Sequence, residues 1–305
     1  MPEIVVRAGG RHRGPDLRDA PRFPVSAGAV AFATLVSLAR WAGKDVGFLT
    51  ADPHVGRGEV WRLATAALPH ASPLHLIFNA YWIWALGTLV EERLGALRTL
   101  ALFVALAVVS TACEYAILDG GVGLSGVGYG LFGMLFVLSR RDPRYLGVVD
   151  PPTVTMFVAW FFLCIAFTLL DWMPVANIAH GAGAAAGALV GAAMATRLPR
   201  RARVGAVAGL VVFAAASLLG ATVLRPAVNL SPRRGAQEAY LGFVALENRR
   251  DADAARWLEA STALRPDDAD AWHNLGVAYA RLGRRGDANA AFAREQRLRA
   301  GKPPR

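Results

Sequence analysis

Seven stretches of about twenty mostly apolar residues, separated by short connections that collect arginine, dominate this chain. They lie at roughly 24–43, 73–90, 100–118, 123–139, 153–170, 175–196 and 204–224. A helix needs about 20 such residues to cross the hydrocarbon of a bilayer, and there every backbone polar group must be satisfied within the segment itself. A chain with seven such runs is therefore expected to be all-α, a polytopic membrane helix bundle. The first run is the weakest, because Arg40 lies within it. Of the 305 residues, 54% are hydrophobic and only 18% charged, whereas soluble domains carry about 25% charged residues.

The formal net charge of +10 does not read as a nucleic-acid footprint, because the basic residues stand in short clusters between apolar runs. It reads as topology. One side of the seven-run pattern collects Arg7, Arg11, Arg13, Arg18 and Arg22, then Arg93 and Arg98, then Arg140, Arg141 and Arg144, then Arg197, Arg200, Arg201 and Arg203. The other side, before the C-terminal tail, has only Arg40, Lys44, Arg57 and Arg62. Cytoplasmic loops are enriched in Lys and Arg, so residues 1–23 are expected to be a cytoplasmic basic tail. With no apolar core, these residues do not resemble a secretory signal peptide. An odd number of spans would put the C-terminal region outside. Cys113 and Cys164 fall inside apolar runs without a ligand motif, so neither a disulfide nor a metal is expected. No cofactor is called for.

The loop at about 44–72 is long for a plain connection and contains Val60-Trp61-Arg62-Leu63, which suggests a functional or partly buried segment. After Pro226 the composition turns to Ala, Arg, Asp and Leu with helical periodicity. Trp272, Leu275, Gly276, Tyr279, Ala288 and Phe292 fit the tetratricopeptide spacing, and Leu241, Gly242, Ala254 and Leu258 stand 34 residues before Leu275, Gly276, Ala288 and Phe292. A small α-helical repeat domain is expected at about 233–300, with the first repeat degenerate and Pro266 closing it. Its functional reading is binding of a protein partner; its structural reading is a cap.

Polar side chains at membrane depth are costly and are functional candidates by default. With the topology above, the second, fourth and sixth runs cross in the same direction. Each places its polar residues in its first turns: His75 and Asn79, then Ser125, then His180. All four are expected in one layer near the outer surface. Ser125, in Gly123-Leu124-Ser125-Gly126, is not the nucleophile elbow of soluble hydrolases, since Val127 replaces the required glycine. A serine beside glycines and a lone histidine are each weak signals. As a pair they supply what nucleophilic catalysis needs, a hydroxyl and an imidazole to accept its proton. Gly126 and Gly130, and Gly183, Gly187 and Gly191, have the four-residue spacing that lets helix backbones approach. His75 and Asn79 share one helix face and are candidates for oxyanion stabilisation, with backbone amides at the positive end of the Ser125 helix. Tyr129 could pack on the imidazole. No acid is placed to orient His180, which makes a dyad. Glu114 and Asp171 lack a partner in that layer and are read as structural or interfacial.

Taken together, these residues resemble the rhomboid family. The matching pattern is Trp61-Arg62, His70-x4-His75-x3-Asn79, Gly87-x3-Glu91-x3-Gly95, Gly123-x-Ser125-Gly126 with Tyr129, and Asn177-x2-His180. The resemblance implies a six-span rhomboid protease core at 24–200, followed by an extra transmembrane span at 201–226. By position it implies Ser125 as nucleophile, His180 as base, and His75, Asn79 and the Ser125 amide as the oxyanion hole. Gly123, Gly126 and Asn177 would support the site, and Arg62 and Glu91 would be structural. It further implies substrates that are single-span membrane proteins, cut near the outer boundary of the membrane, expected to be a bacterial plasma membrane. The competing readings are a non-proteolytic adaptor that binds transmembrane helices and recruits partners through the tail, and a transporter using His75 and His180 as a proton path.

Overall fold

The structure, a computed structural model, describes residues 16–301. Arg7, Arg11 and Arg13 of the basic tail lie outside the described residues. Among the described residues there are helices and no strand, and they divide into two compact units, residues up to 225 and from 226 onward.

The first unit contains seven long helices: α1 Pro24–Trp41, α2 Pro73–Leu94, α3 Ala96–Ile117, α4 Ser125–Arg141, α5 Pro151–Leu169, α6 Asn177–Met194 and α7 Arg200–Ala221. Their starts are written in the sequence. Pro73 follows the cap Ser72, whose hydroxyl accepts from His75 N, and Pro151 follows Asp150, which accepts from Thr153 N. Both use the pairing of a polar cap with proline in the first turn. Gly95, at φ +77°, ends α2.

Five of the seven, α1, α2, α3, α5 and α7, are long and apolar enough to cross a membrane. The remaining two, the glycine-rich α4 and the glycine- and alanine-rich α6, carry Ser125 and His180. Yet α4 is the centre of the unit: Leu131, Met134, Leu135 and Leu138 have no exposed surface. On the side that meets α6, glycines leave no side chain to hold the two helices apart. A Cβ on Gly187 would stand 2.9 Å from Gly130 Cα, and one on Gly183 would stand 3.3 Å from Gly126 Cα. Gly191 meets Met134 in the same way. These contacts keep one register along both helices, so α4 and α6 run parallel and begin at the same end.

Glu91, in the last turns of α2, holds the start of α1. Its carboxylate accepts from Val25 N at 2.8 Å, Ser26 N at 2.9 Å and Ser26 Oγ at 2.8 Å. These are orphan amides of the α1 N-terminus, for which a buried carboxylate is both an acceptor and a favourable charge. Gly87, one turn earlier, lets Ser26 approach to where a Cβ would meet its hydroxyl at 2.8 Å.

The long loop before α2 is held by Arg62, which is 6% exposed. Its guanidinium donates to Glu59 at 2.6 Å, Gly47 O at 2.9 Å, Thr50 O at 3.3 Å and Asp52 at 3.3 Å. Leu63 is fully buried beside it, while Val60 and Trp61 are exposed. At the far end of α4, the buried Asp142 binds Arg144 through both oxygens and accepts from Thr196 N and Oγ1. The Arg144 side chain holds its carboxyl well below the usual range, and Thr196 reinforces the shift.

The second unit contains α8 Ala236–Glu247, α9 Asp251–Leu264, α10 Ala269–Arg281 and α11 Arg285–Ala300. They form two antiparallel hairpins with one shared core of Ala245, Ala254, Leu258, Ala271, Leu275, Ala278 and Ala291. The same close approach recurs in each. A Cβ on Gly242 would meet Leu258 Cγ at 2.5 Å, and one on Gly276 would meet Phe292 Cε1 at 2.6 Å.

Candidate active site

Ser125 is the first residue of α4, reached through a turn that needs Gly120 at φ +85° and Gly123 at φ +112°. Gly123 is required twice over, since a side chain there would also collide with the His75 ring, 2.7 Å from Cε1. The turn is tied on both sides. Gly123 N donates to Ala66 O at 3.0 Å, and Leu124 N donates to His70 Nε2 at 3.3 Å. As the opening residue of a helix, Ser125 has an amide that no helical carbonyl satisfies.

The Ser125 hydroxyl lies 2.8 Å from His180 Nε2. His180 sits in the first turn of α6 and is 3% exposed. In the tautomer with Nε2 unprotonated, the hydroxyl donates and the imidazole accepts. Tyr129, one turn beyond Ser125, stacks on the His180 ring at 4.7 Å and 22°, with its own hydroxyl donating to Phe157 O at 3.1 Å. His180 Nδ1 is buried and has no hydrogen-bond partner among the described residues. Gly126 allows α4 to lie on Ser110 of α3, where a Cβ would stand 2.7 Å from the serine Cβ. Asn177 joins the start of α6 to the end of α5 through Thr168 Oγ1 at 2.8 Å.

His75 packs against the serine turn at Gly123. Asn79, one helical turn further along α2, is 5% exposed. Its Nδ2 donates back to His75 O at 2.9 Å, so one of its two amide hydrogens is engaged within its own helix.

Two further residues bond to the backbone of this site: His70, given no role from sequence, and Glu114, read there as structural or interfacial. His70 is fully buried, and its ring meets His75 edge-on at 4.9 Å. Its Nδ1 lies 3.0 Å from Leu68 O and must carry the proton, which leaves Nε2 to accept from Leu124 N. Burial first, and the charge of His75 second, lower its pKa to about 4, against the Leu68 carbonyl, so near neutrality it remains the neutral acceptor the turn needs. The second is Glu114. The expectation that it has no partner in the layer of His180 is corrected: its carboxylate accepts from Ala179 N at 2.9 Å. Helix-to-helix approach, invisible in linear sequence, makes that contact; a buried acid at membrane depth was the available signal. Neither Arg62, whose side chain binds the loop before α2, nor Glu91, at the opposite end of α2 from His75, has a hydrogen bond to Ser125 or His180 among the described residues. Among the described residues no three His, Cys, Asp or Glu side chains cluster as a metal site would require.

Residues 57–197 match the Rhomboid domain. All the residues just described around Ser125 and His180 fall within that range. Among curated relatives, the chain is 35% identical over 130 residues to the rhomboid protease GlpG of Enterobacter sp. (strain 638), covering 42% of this chain and 46% of that protein. It is 36% identical over 152 residues to the rhomboid protease GlpG of Salmonella choleraesuis (strain SC-B67), covering 47% and 50%. The chain thus spans about half the length of the curated relatives it matches. With the apolar helices, these matches support the rhomboid family and an integral membrane protein.

Proposed function

We propose that this protein is an intramembrane serine endopeptidase that cleaves single-span membrane proteins with a Ser-His dyad. The observation that carries the reading is the 2.8 Å contact between Ser125 Oγ and His180 Nε2, made at the heads of two parallel helices inside a Rhomboid domain. A serine hydroxyl becomes an effective nucleophile when a positioned base takes its proton. In this reading Ser125 Oγ attacks the scissile carbonyl as its proton passes to His180 Nε2. The imidazolium then protonates the leaving amine, and the acyl-enzyme is released when His180 activates a water in the same way.

The developing oxyanion would be met by the free Ser125 amide at the positive end of α4, together with donors from His75 and Asn79 on α2. Asn79 has one amide hydrogen left for this task. Tyr129 supports the imidazole from its face and takes the place of no acid. The arginine asymmetry supports a cytoplasmic N-terminus in a bacterial plasma membrane, seven spans, and a site and C-terminal unit on the outer side. The two hairpins with a 34-residue spacing support a tetratricopeptide-like unit, whose role in this reading is to bind a protein partner.

The decisive experiment reconstitutes the protein in liposomes with a single-span reporter and compares it with Ser125→Ala. Cleavage by the parent and none by the variant is expected; equal cleavage sinks the protease reading in favour of an adaptor.

A further inference from the structure

Helix α6 begins without a side-chain cap of its own, because the residue at its N-cap is Ala176. The missing acceptor comes from another helix. Glu114, in the last turn of α3 and 3% exposed, accepts from Ala179 N at 2.9 Å. Ala179 immediately precedes His180. A carboxylate at a helix N-terminus satisfies an orphan amide and complements the positive end of the helix dipole.

Glu114 is itself fixed. Its neighbour Cys113 contacts Ser217 of α7 at 3.0 Å, and its other neighbour Tyr115 accepts at its carbonyl from Arg225 Nε at 3.0 Å while its ring lies 4.0 Å under that guanidinium. The turn after α3 presses on the same spot, since a Cβ on Gly121 would meet Ala176 Cβ at 2.5 Å. Among the described residues no side chain or carbonyl bonds His180 Nδ1 to hold its ring. The ring is therefore placed by the backbone of the first turn of α6 and by the face of Tyr129.

We infer that Glu114 is a positioning residue, whose carboxylate fixes the first turn of α6 and so holds His180 on Ser125. It acts on the backbone beside the histidine, where the acid of a triad would act on the ring. The inference rests on the dyad proposed above and adds a role for the end of α3, pinned from α7, that the dyad alone does not require.

The test measures the rate at which a fluorophosphonate labels Ser125, together with kcat and KM for a single-span reporter, in parent, Glu114→Ala and Glu114→Gln. Misplacing a catalytic group by about 1 Å costs on the order of 10²-fold, so Glu114→Ala is expected to lower kcat and labelling by about 10- to 100-fold with KM little changed. Glutamine keeps an acceptor oxygen and is expected to restore most of the rate. A folded Glu114→Ala with the parent's labelling rate overturns the inference. If Glu114→Ala does not fold, Glu114→Met is compared with Glu114→Gln: slower labelling of the methionine variant supports the role, and equal rates overturn it. A parent protein that is not labelled at Ser125 overturns the dyad itself, which distinguishes the two failures.

Discussion

Replacing Gly187 by alanine tests whether the contact of α4 with α6 sets the catalytic geometry. The added Cβ would stand 2.6 Å from Gly130 C and 2.9 Å from Gly130 Cα, with the Gly130 carbonyl oxygen nearer still. All of these atoms are backbone, so no side chain can rotate away. Restoring ordinary carbon contact of about 3.5–4.0 Å requires the helices to part by about 1 Å. Overpacking of this kind costs about 1–3 kcal/mol. The same parting, carried along α6 to His180, would stretch the 2.8 Å contact with Ser125 beyond hydrogen-bonding range, at a cost on the order of 10²-fold in rate. The assay is cleavage of a single-span reporter in liposomes, with thermal unfolding in detergent measured alongside. Gly128→Ala is the control, since it lies on the facing helix α4 with nothing within 4 Å of its Cβ; it is expected to retain the parent's rate. A Gly187→Ala protein with the parent's kcat and melting temperature would refute the argument that backbone proximity at this glycine positions the dyad.

Two further predictions concern the frame. Glu91→Ala removes the acceptor of three hydrogen bonds at the start of α1. At about 1.5–3 kcal/mol for a bond to a charged group, partly offset by relaxation, a loss of at least about 2 kcal/mol in unfolding experiments is expected, with a smaller effect on the labelling rate of Ser125. Asp142 has a folded-state pKa below its ordinary value, through Arg144 and then Thr196. Its contribution is therefore fully present above about pH 4 and is lost as pH falls through the depressed folded value. Melting temperature recorded from pH 5 down to pH 2 should fall less steeply for Asp142→Asn than for the parent, and identical slopes would exclude the carboxylate as the acid-sensitive group.

The helices were legible because membrane spans announce themselves locally: a run of apolar residues, a proline after a polar cap, an arginine cluster beyond. The two helices that fall short of the span pattern, α4 and α6, are those whose glycines give up apolar bulk for close approach. Ser125, His180, His75 and Asn79 could be assigned to one layer by counting spans, but their bonds could not be read that way. The turn of Asn79 toward His75 O, the neutral His70 behind Leu124 and the carboxylate of Glu114 at Ala179 all depend on angles and distances between helices.

Sequence by itself determined that this chain is a helical membrane protein, which residues could supply a nucleophile and a base, and where a helical tail begins. Those properties follow from local pattern, since hydrocarbon accepts only segments that satisfy their own backbone. Tertiary structure decided how the first turn of α6, which carries His180, is held. Glu114 lies 65 residues from its partner Ala179, and only the packing of α3 against α6 brings an acid to the orphan amide that precedes His180.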